Sequence, residues 1–127
     1  MMIEFDIPAH ELKSKNRRDA YAAGGRHLRG VRAGHYKRFL REVGWRARFA
    51  MNTAGARTWT TPVFVEILYG TAAPRIVKDA QNIEEGLFDG LKGVVYLDDS
   101  LIWDHRNRRV FDREHVTVRV SDFQAGG

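Results

Sequence analysis

The stretch of the chain from Asp79 to Asp104 concentrates carboxylates. Seven acidic residues lie in it against a single base, Lys92; they are Asp79, Glu84, Glu85, Asp89, Asp98, Asp99 and Asp104. Carboxylate oxygens are the ligands that Mg²⁺ prefers, and a bound cation of this kind polarises a phosphoryl oxygen and activates a water molecule. The stretch is therefore a candidate site for metal-dependent hydrolysis of a phosphodiester.

The rest of the charge has the opposite sign. Residues 13–48 contain twelve Lys or Arg and only two acids, so this segment carries +10, and the remainder of a chain of net charge +5 sums to −5. A cationic half beside an anionic cluster is the layout expected of a protein that grips a polyanion and holds a metal ion against it. The alternative is a solvated surface on which charge is unevenly spread.

Composition excludes several classes of protein. At 127 residues, of which 43% are hydrophobic, the chain has room for one globular domain, residues 1–127, with a modest core. No apolar run approaches the roughly 18 residues of a membrane span, and no secretory signal is visible. Cysteine is absent, which excludes thiolate zinc sites and agrees with a reducing, cytoplasmic compartment.

The elements that must position the acids can be predicted from periodicity. "MIEFDIP" alternates as a half-buried strand stopped by Pro8, whereas residues 10–34 have no apolar period and indicate a long basic loop. Residues 35–51 have helical spacing, with Phe39 and Leu40 in the core, and "PVFVEILY" is a strand.

The second half of the chain contains the acids themselves. A helix is expected over residues 80–92 and ends at Gly93; a strand or strand-turn follows at "VVYLDDSLIWD", then a turn at "RNRR". "EHVTVRVSDF" is the last strand, with Val116, Val118 and Val120 facing inward, and residues 124–127 form a loose tail. This order predicts a small α+β domain, a mixed sheet with two main helices packed on it.

Three short motifs in the acidic stretch, "DAQNIEE", "DGLKG" and "YLDD", resemble the signature of the RusA family of Holliday-junction resolvases. That signature runs D-x-D-N-L-x-K, then a helix ending D-A-L-N-G, then Y-x-D-D. The matching residues are Asp79, Asn82, Asp89, Leu91, Gly93, Tyr96, Asp98 and Asp99. Weaker similarity extends outward through "KSKNRR", "HYKRFLREV" and "TPVFVEILYG", so that most of the chain is covered.

The resemblance implies a homodimeric endodeoxyribonuclease, common in phages and prophages, that nicks four-way DNA junctions in recombination and repair. It implies Mg²⁺, with Mn²⁺ as a substitute, and neither a nucleotide cofactor nor a membrane partner. The implied metal ligands are Asp79, Asp98 and Asp99, and the implied catalytic positions are Asp79, Gln81, Glu85 and Asp99. The expected DNA contacts are Lys13, Lys15, Arg17, Arg18, Arg75 and Lys78.

Two positions depart from the signature. Its second aspartate is Gln81 here and its lysine is Glu85. Gln81 offers a neutral oxygen but no charge and no base. Glu85, one turn further along the helix, could return a carboxylate to the metal, with Lys78 or Arg75 supplying the missing cation. The alternatives are a catalytically impaired protein that still binds branched DNA, and a basic structural protein that binds nucleic acid without structural preference.

Several residues also have ordinary structural interpretations. Asp79 could simply cap a helix, and Asp98 could satisfy local backbone groups, which makes Asp99 the better ligand. Glu84 and Asp89 are expected on the solvated face of the helix, with Lys92 as a partner for Asp89. Trp45 and Trp59 are predicted in the core or at a dimer interface.

Two expectations concern the arrangement of the site. The histidines show no paired metal spacing, and His105, Asn107 and His115 are not expected to form a His-Asn-His nuclease site because their separation is too short. The "YLDD" pair is expected to fold back against the start of the preceding helix.

Overall fold

The computed structural model describes residues 1–9, 26–73 and 80–125, and of residues 26–33 and 80–82 it describes the backbone. Within these ranges four strands and two helices follow one another in the order β1, α1, β2, α2, β3, β4. Their bounds are β1 Met2–Ile7, α1 Arg26–Ala54, β2 Val63–Tyr69, α2 Ala80–Leu91, β3 Ile102–Arg109 and β4 Val116–Asp122. The predicted α+β class with a mixed sheet and two helices is confirmed.

The sheet is built around β4 and β2. Its order is β1-β4-β2-β3, in which β1 and β2 both pair antiparallel with β4, and β3 pairs parallel with β2. Alternation sets the buried face, since β1 buries every second residue and Val116, Val118 and Val120 of β4 are fully buried, as predicted. The two helices pack on this face, and none of the described helices is both long and apolar enough to cross a membrane.

Helix α1 begins nine residues before the predicted start at residue 35. The prediction of a basic loop over residues 10–34 is therefore wrong for residues 26–34, while residues 10–25 lie outside the described part of the chain. Apolar periodicity indicates a helix only where one face packs on a core, and Phe39, Val43, Ala47 and Met51 are the buried stripe of α1. The earlier turns contain three Arg and one Leu, which favour a helix, but their apolar residues leave no periodic pattern.

The predicted turn at "RNRR" is wrong, because Arg106, Asn107, Arg108 and Arg109 belong to β3. β3 is an edge strand whose residues 103–108 are all exposed, so it lacks the alternation of apolar and polar residues that marks a half-buried strand. Parallel pairing with β2 supplies the structure that local sequence does not indicate.

A carboxylate at the end of β4 ties the chain termini to the core. Asp122 accepts hydrogen bonds from the Met1 amino group and from the Trp59 indole nitrogen, each at 2.6 Å. Trp59 is buried, as predicted for a core residue, whereas Trp45 is 67% exposed and is not part of the core. No regular element follows β4 in residues 123–125, and residues 126–127 of the predicted tail lie outside the described range.

The helices approach each other closely at two glycines. A Cβ on Gly90 of α2 would lie 2.8 Å from the Cβ and Cγ1 atoms of Val43 in α1. A Cβ on Gly44 would meet the Gly90 carbonyl oxygen at 3.5 Å, an ordinary contact. The absence of a side chain at residue 90 thus sets how closely α2 lies against α1.

We predict that Gly90→Ala destabilises the protein by about 1–3 kcal/mol, because overpacking against Val43 outweighs the roughly 0.5–1 kcal/mol that alanine gains in a helix. Urea unfolding followed by circular dichroism measures the change. Gly44→Ala is the matched control and should be neutral or stabilising. Equal stability of the two variants would contradict the assigned contact.

Candidate functional site

The "YLDD" segment is fixed by a turn at the C-terminal end of α2. Gly93 ends the helix with a φ of 82°, a conformation that favours glycine. The chain then doubles back, so that the fully buried Tyr96 donates its hydroxyl hydrogen to the carbonyl oxygen of Phe88 at 2.7 Å. Trp59 holds the same segment from the other side through backbone hydrogen bonds to Val95 and Leu97. The tyrosine of the motif is therefore a structural anchor.

Asp98 has two local roles. It caps the 3₁₀ turn Asp99–Leu101 by accepting a hydrogen bond from the Ser100 backbone amide at 3.2 Å, and it forms an ion pair with Lys92 at 3.1 Å. Hydrogen bonds from the Ser100 hydroxyl and amide, followed by that from the Lys92 ammonium, lower the pKa of Asp98 to about 2. The expectation that Asp98 satisfies local groups is confirmed, and its metal-binding role stays a prediction.

Asp99 differs from its neighbour. It is exposed in the first turn of the 3₁₀ helix, and its carboxylate forms no hydrogen bond or ion pair with the described residues. Burial, and then the negative charges of Asp99, Asp89 and Asp98, raise the pKa of the Tyr96 hydroxyl, so the three acids surround one end of α2. Asp89 accepts a hydrogen bond from the Tyr36 hydroxyl at 3.2 Å, and Lys92 forms its ion pair with Asp98. The hydrogen bond to Asp98 and its negative charge, followed by the charges of Asp99 and then Asp89, raise the pKa of Lys92.

The two halves of the acidic motif lie at opposite ends of α2. Gln81 is the second residue of this helix, and Asp98 is bound to Lys92, the residue after its last. A helix of 12 residues is about 18 Å long. The expectation that "YLDD" lies against the helix start is therefore wrong, and among the described residues no three Asp, Glu, His or Cys side chains form a group that could hold a metal ion.

Glu84 is buried, contrary to the prediction of a solvated position. Its side chain is 9% exposed, and one carboxylate oxygen lies 2.5 Å from the Nδ1 atom of His105 on β3. The side-chain amide of Asn107, also on β3, donates a hydrogen bond to its other oxygen. The next residue, Glu85, is exposed. Glu84 thus joins the middle of α2 to the edge strand of the sheet.

The edge strand also supplies cations. Arg106 and Arg108 are exposed on β3, and neither makes an ion pair within the described ranges. Arg109 instead donates hydrogen bonds to the carbonyl oxygens of Gly70 at 2.6 Å and Ala73 at 2.9 Å, holding the chain that leaves β2. The predicted turn at "RNRR" left Arg106 and Arg108 out of the expected DNA contacts.

Many of the residues singled out from the sequence cannot be placed. Lys13, Lys15, Arg17, Arg18, Arg75, Lys78 and Asp79 lie outside the described residues, and the side chains of Gln81 and Asn82 are not described. Of the predicted catalytic and metal-binding positions, the side chains of Glu85, Asp98 and Asp99 are the ones that the structure places.

Comparison with known families agrees with the motif. The family model of the endodeoxyribonuclease RusA matches residues 9–121, nearly the whole chain. The chain belongs to the RusA family. A comparison with curated proteins gave no match. In this RusA family member the signature helix is α2, the signature glycine is its C-terminal cap, and the signature tyrosine is buried beneath it.

The residue pattern contained a signal for the buried carboxylate of this RusA family protein. Glu84 precedes Leu87 by three residues and Leu91 by seven, and both leucines are fully buried. Residues with these separations share one face of a helix, so Glu84 belongs to the packed face. Its histidine partner lies 21 residues further along on another element, and no local spacing connects the two.

We predict a pH-dependent contribution of Asp98 to stability. Its pKa in the folded protein is about 2 against an ordinary value of 3.8, so its contribution is complete above about pH 4 and is lost as the pH falls through the folded value. The stability difference between the wild type and Asp98→Asn should therefore shrink between about pH 4 and pH 2. Thermal unfolding at a series of pH values measures it. Parallel curves for the two proteins over this range would contradict the assignment.

Proposed function

We propose that this protein is a metal-dependent endodeoxyribonuclease that resolves Holliday junctions by paired nicking. The family assignment supports the reaction class. The observation that carries the proposal is the Asp99 carboxylate, which is exposed, lies in a turn fixed by the buried Tyr96 and is not shared with any described residue. A carboxylate that is held in place and has no partner among the residues that the structure describes is available for a ligand.

The predicted ligands are hard oxygen atoms, and histidine is not among them. This set of donors suits Mg²⁺, with Mn²⁺ as a substitute. Asp79 and Asp99 would hold the ion, and Glu85 or the Gln81 carbonyl would supply a third oxygen. Asp98 is the weaker candidate because its carboxylate is engaged by Ser100 and Lys92. When bound, the ion would polarise the scissile phosphate and lower the pKa of the attacking water.

A homodimer would explain the separation of the two halves of the motif. Gln81 and Asp98 lie at opposite ends of a helix about 18 Å long, too far apart to contact one ion of roughly 2 Å ligand distance. A two-fold axis can bring the start of α2 in one subunit next to the Asp99 turn of its partner, and it does so twice. Two such composite sites would suit the two-fold symmetry of a four-way junction.

DNA contacts are expected from two cationic regions. The first is the predicted set Lys13, Lys15, Arg17, Arg18, Arg75 and Lys78, and the second is the exposed pair Arg106 and Arg108 on β3. The Lys and Arg side chains of both regions can bind phosphate oxygens. Such contacts position a duplex without reading its sequence.

A junction-binding protein with impaired cleavage is the second candidate. Gln81 and Glu85 replace an acid and a base of the family signature, and the described residues assemble no group of three metal ligands. Both observations favour this candidate if the site is not completed by a partner subunit.

The deciding experiment incubates the protein with a four-way junction or a linear duplex of the same sequence, with Mg²⁺, Mn²⁺ or EDTA. We expect nicking of the junction that requires metal, because the proposed cation would polarise the phosphoryl oxygen and activate the attacking water. Tight junction binding without nicks would establish the second candidate, and equal affinity for both DNAs would establish a structural DNA-binding protein.

Within this assay Glu85→Ala should slow cutting at least tenfold, because it would remove a proposed oxygen ligand of the metal ion. Asp104→Asn, on the exposed edge strand, is its control.

The composite site is tested by mixing two inactive variants. Asp79→Asn and Asp99→Asn should each abolish nicking as homodimers, since each removes a metal ligand from both sites. In heterodimers formed by co-refolding, one composite site carries both substitutions and the other carries neither. We therefore expect the mixture to regain single-strand nicking, measured as nicked junction on a denaturing gel. A mixture as inactive as its components would show that both ligands belong to the same subunit.

A further inference from the structure

The carboxylate of Glu84 is removed from water and matched by β3. A buried carboxylate is costly unless hydrogen bonds and a partner that can carry positive charge compensate it. Asn107 supplies an amide hydrogen to one oxygen, and the His105 Nδ1 atom lies 2.5 Å from the other. Both partners come from one edge strand at alternate positions, so they lie on the same face of it.

The imidazole of His105 is held in one orientation. Besides the contact of Nδ1 with Glu84, the Phe88 ring packs edge-on against it, with centroids 5.7 Å apart and an interplanar angle of 77°. The side chain is nevertheless 52% exposed. Because Nδ1 is taken by the carboxylate, Nε2 is the nitrogen that remains available to a ligand.

This imidazole lies beside the first half of α2. Its two contacts on the helix, Glu84 and Phe88, are respectively three and seven residues after Gln81, and residues with these separations share one side of a helix. Glu85 follows Glu84 directly, about 100° further around the helix, and is exposed. His105 therefore contacts the side of α2 that includes position 81, at which this chain lacks the second acid of the family signature.

We propose that His105 is the general base of the nuclease and that Glu84 is its positioning residue. In the step, the oxygen of a water molecule forms a bond to phosphorus while one of its protons passes to Nε2 of His105. The bond from phosphorus to the leaving oxygen breaks, and that oxygen takes a proton from solvent water. Glu84 holds the Nδ1–H tautomer and stabilises the imidazolium that forms, as a carboxylate does in hydrolytic triads. This inference rests on the proposed function and supplies the base that Gln81 cannot be.

The charged and titratable groups around the pair are consistent with this assignment. Tyr69 of β2 has a buried hydroxyl without a hydrogen-bond partner among the described residues, and burial followed by the charge of Glu84 raises its pKa, so the phenol stays neutral. The positive charge of Arg109 on β3 lowers the pKa of Tyr69 and so opposes these two effects. Its guanidinium donates hydrogen bonds to the backbone carbonyl oxygens of Gly70 and Ala73. Glu85 follows Glu84 on α2 and points to the exposed side. Of these groups, Glu84 is the one in direct contact with the imidazole.

The test measures metal-dependent junction nicking by His105→Ala, Glu84→Gln and the double variant. Each single change should slow nicking about a hundredfold with junction affinity unchanged, because a general base contributes roughly 10²–10⁴-fold to a rate. The double variant should be no slower than the slower single variant, since the two residues act as one unit. Added imidazole should restore part of the His105→Ala rate, which it cannot do for a residue with a structural role only. His115→Gln, at another exposed histidine, is the matched control and should cut at the wild-type rate.

A second measurement does not depend on activity. Nitrogen-15 NMR of the imidazoles should show His105 as the Nδ1–H tautomer in the wild type and a shift toward Nε2–H in Glu84→Gln, because the new side-chain amide donates where the carboxylate accepted. If the wild type and His105→Ala cut the junction equally fast, His105 is not the general base, and the proposed nuclease function is unaffected. If the wild type cuts no junction with either metal, the proposed function fails and the base fails with it. If the rate losses of the two single variants add in the double variant, or if Glu84→Gln leaves the His105 tautomer unchanged, Glu84 is not the positioning residue of His105.

Discussion

The burial of Tyr96 beneath the last turn of α2 is the contact on which the arrangement of this protein depends. Its hydroxyl donates a hydrogen bond to the Phe88 carbonyl oxygen, and its backbone neighbours are paired with Trp59, so these contacts hold the chain after Gly93 against α2. A buried hydrogen bond of this kind contributes about 1 kcal/mol, and loss of a large buried aromatic side chain costs about 3–5 kcal/mol. Packing of the ring therefore contributes most of the stability, and the hydrogen bond fixes the orientation of the Tyr96 side chain. The burial of Tyr96 therefore also fixes the positions of the Asp98–Asp99 doublet and of the start of β3, which follow it in the chain.

The interface between α2 and β3 is polar where the remainder of the helix packing is apolar. Leu87 and Leu91 face the core, while Glu84 is met by His105 and Asn107 from a strand exposed to solvent. A buried carboxylate that loses its hydrogen-bond partners is destabilising, whereas an apolar residue of similar volume at the same place is often neutral. A carboxylate–imidazole pair is thus a poor solution for stability alone, and the role proposed above for His105 and Glu84 would account for its presence.

The parts of the fold that could be predicted are those in which local pattern and tertiary role agree. Ile3, Phe5 and Ile7 alternate and are buried, as are the valines of β4, and α2 ends at the predicted glycine. The pattern failed where a neighbour determines the structure. Arg106 and Arg108 lie in a strand because β2 pairs with them, and the first turns of α1 extend beyond the apolar stripe. The local capping role of Asp98 could be predicted from residue type, but the pairing of Glu84 with His105 joins two distant elements and could not.

The position of β3 at the edge of the sheet has a consequence for the behaviour of the protein in solution. One side of this strand pairs with β2, and the other side has no strand partner among the described residues, so its amide and carbonyl groups offer a template to any extended chain. Charged residues on an edge strand oppose such pairing, because a second strand would bring like charges within a few ångströms and strip them of water. The exposed arginines of β3 therefore oppose open-ended β-aggregation through this edge of the sheet.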